Sequence, residues 1–395
     1  MPPRPSDPIR WIPVRQDLPV PRVPDPVAAL RDALGRAPRP PRGRVAVPVG
    51  SRHIPGLPEL VRELVGWLRA EGADPFVVPA MGTHGGATPA GQRDTLARLG
   101  ITGETVGAPV VSGAEVVRLG EAAPGLPVWC DRAAAEAAAV VPLHRVKPHT
   151  AFRGVLESGP TKLLAVGIGK AASARAVHRY GPAEALPRIL SFWLASGRLP
   201  FGIGLVPNAR GEVAHLELLT APSWLDAEHR LLERARALAP RLPWDDLDLL
   251  VVERIGKDIS GTGMDLHVIG LERRFPGCGA TPRIRRVVAL GLTPASGGNA
   301  NGVGYADVVT RRLADAIDWG ATYANARATG FLEAARLPYV ADDAGDAIGA
   351  ALDALGTDAE TVRAVRISDT GHLERFRVSP ALAGPLPPGV HRDCG

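Results

Sequence analysis

Apolar and polar positions in this chain follow two alternating rhythms. Unbroken apolar runs at 45–49 and 75–79 predict buried strands, and between them 57–71 carries apolar residues at helical spacing. The second run leads into a polar loop, MGTHGGATP. Thr88 followed by Pro89 is an N-cap and first-turn pair that opens a helix to Leu99. A further strand is predicted at 139–143, then a long polar loop, HRVKPHTAFRGVLESGPTK. Residues 163–168 are apolar again, and 170–180 has helical spacing. Strand, helix, strand, helix with polar loops at strand ends is the signature of an α/β fold with a largely parallel sheet. Ligands in such sheets bind beyond the carboxyl ends of the strands, which is where the polar loops fall.

The pattern restarts near Trp244. Residues 247–253 read as a buried strand, followed by the loop RIGKDISGTGMD. Strands are predicted at 287–292 and 337–340, and helices at 306–317 and 344–355, around the glycine-rich GGNANGVGYAD. Two α/β domains are therefore expected, 45–243 and 244–395, with an active-site cleft between them. Residues 1–44 hold twelve prolines and read as an irregular Pro/Arg-rich arm, with one short helix at 27–35.

Composition narrows the class. The 395 residues are 45% apolar and 22% charged, enough to bury real cores, and aromatics at 5% leave those cores to aliphatic side chains. No run reaches the ~20 apolar residues of a membrane span, and the start MPPRPSDPIRW has no apolar signal core. Cys130, Cys278 and Cys394 form no CxxC pair, so neither a disulfide framework nor a thiolate zinc site is expected, and a cytoplasmic setting is. The net charge of +5 comes from arginines scattered among 41 acids, with no basic block interleaved with aromatics. Neither nucleic acid nor a membrane is expected as a partner. The lysines are more informative. Of 46 basic residues only Lys147, Lys162, Lys170 and Lys257 are lysine, and three fall within 24 residues. A lysine kept in so arginine-rich a chain is either a solvated cation or a primary amine required for chemistry that arginine cannot do.

P-loop, dinucleotide, HExxH and GxSxG patterns are absent. Histidines guide the rest, because imidazole exchanges protons near neutrality and ligates metals. His84 in GTHGG, His149 in KPHTAFRG and His178 in ARAVHRYG stand out. Each alone reads as a polar residue satisfying the backbone, but Gly82, Gly85 and Gly86 around His84, and Gly154 and Gly159 after His149, allow close approach to a ligand. Arg52, after the first strand, suits a bidentate contact to a carboxylate or phosphate. The turn SGPTK places backbone amides beside the amine of Lys162, and reads either as an anion or covalent cofactor site or as a plain turn into a strand.

Taken together, Gly82–Thr83–His84, then Pro148–His149 with Phe152, Gly154, Ser158, Gly159 and Lys162, then His178, resemble the nickel-pincer-dependent lactate racemase family over roughly residues 45–180. RIGKDISGTGMD is similar to that family's opening strand and loop of the second domain. The resemblance implies a pyridinium thioamide–thiocarboxylate mononucleotide attached to Lys162. Gly82, Thr83, Ser158 and Gly159 would lie around it, and nickel would be held by the cofactor and His178. It implies His84 and His149 as paired acid/bases on opposite substrate faces, and Arg52 on the substrate carboxylate. The implied reaction is racemisation or epimerisation of a 2-hydroxy acid by hydride transfer, which avoids the high-energy dianion of α-proton removal. Soft sulfur donors with one imidazole suit planar Ni(II).

The chain departs from the family in two places. The spacing from His149 to Lys162 is longer, which leaves Lys170 as a second candidate for attachment. No lysine follows Lys257, and Asp265 and His267 are the ionisable groups of SGTGMDLHVIG. A bulkier or more polar 2-hydroxy acid than lactate is therefore expected, such as a sugar acid epimerised at C2. Two readings compete: a hydrolase or lyase with zinc on His84, His149 and His178, and a non-catalytic relative that binds a nucleotide-like ligand.

Overall fold

The structure is a computed structural model that describes residues 7–51, 54–150 and 152–393. The chain forms two α/β units. One is Pro19–Ala239, and the other joins Met1–Leu18 to Pro240–Gly395.

The segment 1–44 is not one irregular arm. Its first element, β1 (Ile12–Gln16), belongs to the second unit, where it pairs antiparallel with two strands near the chain's end. Val14 is fully buried there while Arg15 stays exposed. Pro13 has no N–H to donate, but its carbonyl accepts from Asp393 N at 3.0 Å at the end of the pairing. Helix α1 (Pro26–Leu34) falls where a short helix was expected. Asp25 caps it by accepting from Val27 N and Ala28 N.

In the first unit, β2 (Gly43–Val49), α2 (Leu57–Ala70), β3 (Ala73–Pro79) and α3 (Pro89–Arg98) follow the sequence rhythm closely. Thr88 Oγ1 accepts from Gly91 N, the expected cap. Next come a hairpin, β4 (Val116–Ala123) and β5 (Leu126–Asp131), and two short strands, β6 (Ala139–Val140) and β7 (Leu143–Arg145). The unit ends with α4 (Lys170–Tyr180), α5 (Pro182–Ala195), β8 (Gly202–Pro207), β9 (Val213–Leu219) and α6 (Trp224–Leu238). Strand β2 lies between β3 and β6, all parallel, and β7 continues beside β8. This sheet is buried on both faces. Val45, Val47 and Val49 pack with Leu60, Leu64 and α1, while Ala46, Phe76 and Val78 pack with Trp193, Trp224 and the hairpin. That is why its strands read as continuous apolar runs and not as alternating ones.

Residues 163–168 are helical. A turn at Pro160–Lys162 runs into a π-turn at Leu163–Gly167, closed by Ile168 N donating to Leu163 O.

The second unit holds an eight-stranded sheet. Its parallel half consists of β10 (Asp246–Val252), β11 (Arg283–Ala289), β12 (Val308–Thr310), β13 (Tyr339–Ala341) and β14 (Ala364–Ile367). Helix α7 (Trp319–Thr329) follows β12. Helix α8 (Ala344–Leu355) covers one face through Ala347, Ile348 and Ala351. Strands β15 (Arg375–Val378) and β16 (Val390–Arg392), with β1 between them, complete the sheet as its antiparallel half. The helix expected at 306–317 is instead β12 followed by a short helix, Arg311–Asp315. Val308 and Val309 extend the sheet, and Thr310 turns the chain by capping Leu313 N. Among the described residues, no helix is long and apolar enough to cross a membrane.

Candidate active site

The chemistry-bearing loops of the first unit follow the carboxyl ends of β2, β3 and β7. Ser51 follows β2 and His84 follows β3, and Ser51 Oγ lies 2.6 Å from His84 Nδ1. Gly50, just before Ser51, lies against the imidazole of His144, where a Cβ would come within 2.5 Å of Cε1. The His84 loop is fixed from below by Gln92 on α3. This buried amide donates to Gly82 O at 3.0 Å and to His84 O at 3.4 Å. Thr83 and His84 themselves are exposed.

The same loop rests on the π-turn that begins directly after Lys162. Gly82 N donates to Gly167 O at 3.1 Å, and a Cβ on Gly167 would lie 2.5 Å from Ala80 O. Lys162 is half-buried at the start of that turn. A π-turn widens the helix by one residue and is often found where a helix serves a functional site.

The His149 loop is closed at its base by an antiparallel bridge. Lys147 N donates to Ser158 O at 2.9 Å and Ser158 N to Lys147 O at 3.3 Å. Within it, the ring of His149 lies 4.5 Å from that of Phe152. Glu157, its side chain fully enclosed, accepts from His149 N at 2.6 Å, from Gly154 N at 3.3 Å and from Arg236 at 2.5 Å. At Gly159 the close neighbour is protein: a Cβ there would lie 2.1 Å from Glu228 Oε1. Glu228 is buried, which pushes its pKa up, and hydrogen bonds from Thr161 and Trp224 pull the other way.

His178 lies half-buried in the last turn of α4. The helix starts at Lys170, which is held at φ 53°, a left-handed conformation rare for a residue with a side chain. Its ammonium is buried against Asp131 at 2.9 Å and also donates to Gly113 O. The contacts above therefore join the loops of His84 and His149 to the Lys162 turn, while the Lys170 amine is committed to an internal ion pair. Among the described residues, no three His, Cys, Asp or Glu side chains group as a metal site, so His84, His149 and His178 do not build the three-histidine zinc centre of the competing reading. Arg52 lies outside the described residues.

In the second unit, Asp265 caps the turn Leu266–Ile269 by accepting from His267 N, and its own N–H donates to Thr370 Oγ1 at 2.9 Å. Lys257 Nζ donates to Gly261 O and Asn325 Oδ1.

Among solved structures, the chain is similar to the lactate racemase apoprotein from Thermoanaerobacterium thermosaccharolyticum. The TM-score is 0.53 at 13% identity, over 92% of this chain and 99% of that one. The chain has the fold of that lactate racemase apoprotein. A protein from Thermotoga maritima is also similar, with a TM-score of 0.48 at 14% identity over 67% of this chain and 69% of that one. No family model and no curated protein matches the sequence.

Set on the lactate racemase fold, five residues enter the site's framework that sequence reasoning did not single out: Ser51, His144, Glu157, Glu228 and Arg236. His144 and Glu157 carried a signal, as members of a loop already marked for its chemistry. Ser51, Glu228 and Arg236 act through contacts between segments far apart in sequence, which no local pattern reports.

Proposed function

We propose that this chain is a racemase or epimerase of a 2-hydroxy acid that works with a nickel-pincer nucleotide bound covalently through Lys162. The observation that carries the reading is the joining of the His84 loop, which follows β3, to the turn after Lys162, into which the His149 loop after β7 runs, through Gly82 N and Gly167 O. The likeness of fold to a lactate racemase apoprotein supports it.

The residues fit such a group by their chemistry. Lys162 offers the primary amine that the linkage needs, on a half-buried turn. Lys170 is the weaker candidate, because its amine would have to leave Asp131 uncompensated in a buried site. If the nucleotide gave nickel its soft donors, the protein would need to add one imidazole, and His178 would be the residue to hold the metal. Thr83 and Ser158 would line the group, while Gly82 and Gly159 shape the turns around it. When bound, the group supplies a reversible acceptor for hydride.

The chain's own residues supply the rest. Arg52 holds the substrate carboxylate by a bidentate contact. One of His84 and His149 takes the hydroxyl proton as the alcohol becomes a ketone, and the other returns a proton after the planar keto acid has turned over. Two bases on two faces are what inversion requires. Ser51, against His84 Nδ1, orients that ring.

The test is intact mass and nickel analysis of chain produced together with the enzymes that make the nucleotide, followed by a racemisation assay over a panel of 2-hydroxy acids. A mass increment on Lys162, nickel lost in His178→Ala, and turnover abolished in both His84→Ala and His149→Ala are expected. Absence of any increment would sink the reading.

A further inference from the structure

Helix α6 touches both chemistry-bearing turns from behind. Near its start, Glu228 accepts from Thr161 N at 3.2 Å, from Thr161 Oγ1 at 2.5 Å and from Trp224 Nε1 at 2.8 Å. Thr161 is the residue before Lys162. Near its end, Arg236 donates to Glu157, whose other oxygen accepts the N–H of His149, and to Gly154 O. Between the two, His229 Nδ1 meets Val155 O at 2.9 Å. Eight residues of helix separate Glu228 from Arg236, about 12 Å along the axis.

We propose that α6 is the template that holds the Lys162 turn and the His149 loop in register, with Glu228 and Arg236 as its positioning residues. The inference rests on the roles given above to Lys162 and His149. Three features set these contacts apart from general packing. At each turn a buried carboxylate, Glu228 or Glu157, accepts backbone N–H groups where the chain bends, which fixes direction as well as distance. Each acts on the backbone within one residue of the functional side chain or at it. Gly159 is glycine where a methyl group would strike Glu228, so the turn has been brought as close to the helix as the backbone allows. Neither Glu228 nor Arg236 touches the reacting atoms in this scheme. They act through Thr161 and Glu157.

The experiment uses the full-length chain, with and without co-production of the nucleotide-making enzymes, as wild type and as Glu228→Ala, Glu228→Gln, Arg236→Ala and Arg236→Lys. Arg230→Ala is the control, since Arg230 lies on the same helix but pairs with Glu217. Glu228→Ala is expected to lower the fraction of chains carrying the mass increment by about tenfold while melting remains cooperative, with Glu228→Gln between it and wild type. Arg236→Ala should load normally yet lower kcat by about tenfold or more with KM little changed, and shift the pH–rate profile, with Arg236→Lys restoring part of the loss. If Glu228→Ala does not fold, Glu228→Gln carries the test of loading.

Two measurements on unloaded chain separate this inference from the functional reading. They are the rate of Lys162 acetylation by acetic anhydride relative to Lys147, and the NMR titration of the His149 imidazole. A wild type that never takes up the increment defeats the functional reading alone. Lys162 acetylation unchanged in Glu228→Ala, together with His149 titration unchanged in Arg236→Ala, overturns the template. So does loading and turnover in both alanine variants at the level of Arg230→Ala.

Discussion

Replacing Gly159 with alanine probes the seat of the Lys162 turn with a single methyl group. The backbone there is extended, with φ 178°, so alanine brings no backbone strain and its whole cost is steric. The methyl would lie 2.1 Å from Glu228 Oε1, 3.1 Å from its Cδ and 3.2 Å from Val146 Cγ2. Inserting a methyl into a packed interior costs about 1–3 kcal/mol. Relief requires the Glu228 carboxylate to swing aside, and that strips it of donors it has no water to replace. A buried polar group left unsatisfied costs roughly 1–3 kcal/mol. The swing relieves part of the clash, so the two costs overlap and the variant should lose about 2–4 kcal/mol. For a unit of this size that corresponds to a fall in Tm of roughly 5–15 °C.

Urea denaturation would read the loss as a lower midpoint with an unchanged slope, the sign of altered stability and not of an altered unfolded state. The decisive comparison is the same substitution in a Glu228→Ala background. There the carboxylate is gone and the methyl enters vacated space, so its cost should drop below about 1 kcal/mol. The two substitutions should thus be coupled by about 1–3 kcal/mol. Additive losses would show that Glu228 does not seat the Gly159 turn, and the reasoning above would fail with it.

Other outcomes follow from the same contacts. In chain produced with the nucleotide-making enzymes, Lys162→Ala should lose the covalent mass increment. Lys170→Ala should keep it but lose roughly 3–5 kcal/mol of stability by leaving Asp131 buried without its cation; an increment mapped to Lys170 would reverse the assignment. Burial raises the pKa of Glu228, so the stability this group contributes is complete below the ordinary carboxylate range and is lost as pH rises through the raised value. Glu228→Gln does not titrate, so its stability relative to wild type should improve from about pH 4 to pH 8, and a difference that stays flat in denaturation across that range would contradict the shift. Burial pushes the Cys130 thiol up to about 12, whereas Cys278 is exposed. Iodoacetamide at mildly alkaline pH should label Cys278 in folded chain and reach Cys130 only after denaturation, and early labelling of Cys130 would show that the hairpin strand β5 opens.

Legibility in the sequence divides along physical lines. Strands β2, β3 and β10 were readable because a sheet covered on both faces needs unbroken apolar runs, and α2 because a helix against one core face needs its own spacing. Local capping was readable as well, since Thr88 and Pro89 act within one turn. Strand β1 was hidden because its partners lie more than 350 residues away, at Val378 and Arg392, and prolines around it mimic an arm. The stretch after Lys162 was ambiguous because apolar runs of that length serve a strand or a buried helical turn equally well. The functional site divides in the same way. His84, His149 and Lys162 could be found because their loops carry unusual residues in a recognisable order. Their supports could not: Glu157, Glu228 and Arg236 look like ordinary charges on a helix or in a loop, and only the fold reveals that they point inward. Buried carboxylates have to be satisfied where they stand, so each of these two must have its donors supplied by the backbone it holds. In this unit the requirement that buries Glu157 and Glu228 is also what fixes the turns bearing His149 and Lys162, so the residues that sequence reading missed are the ones that set the geometry of the residues it found.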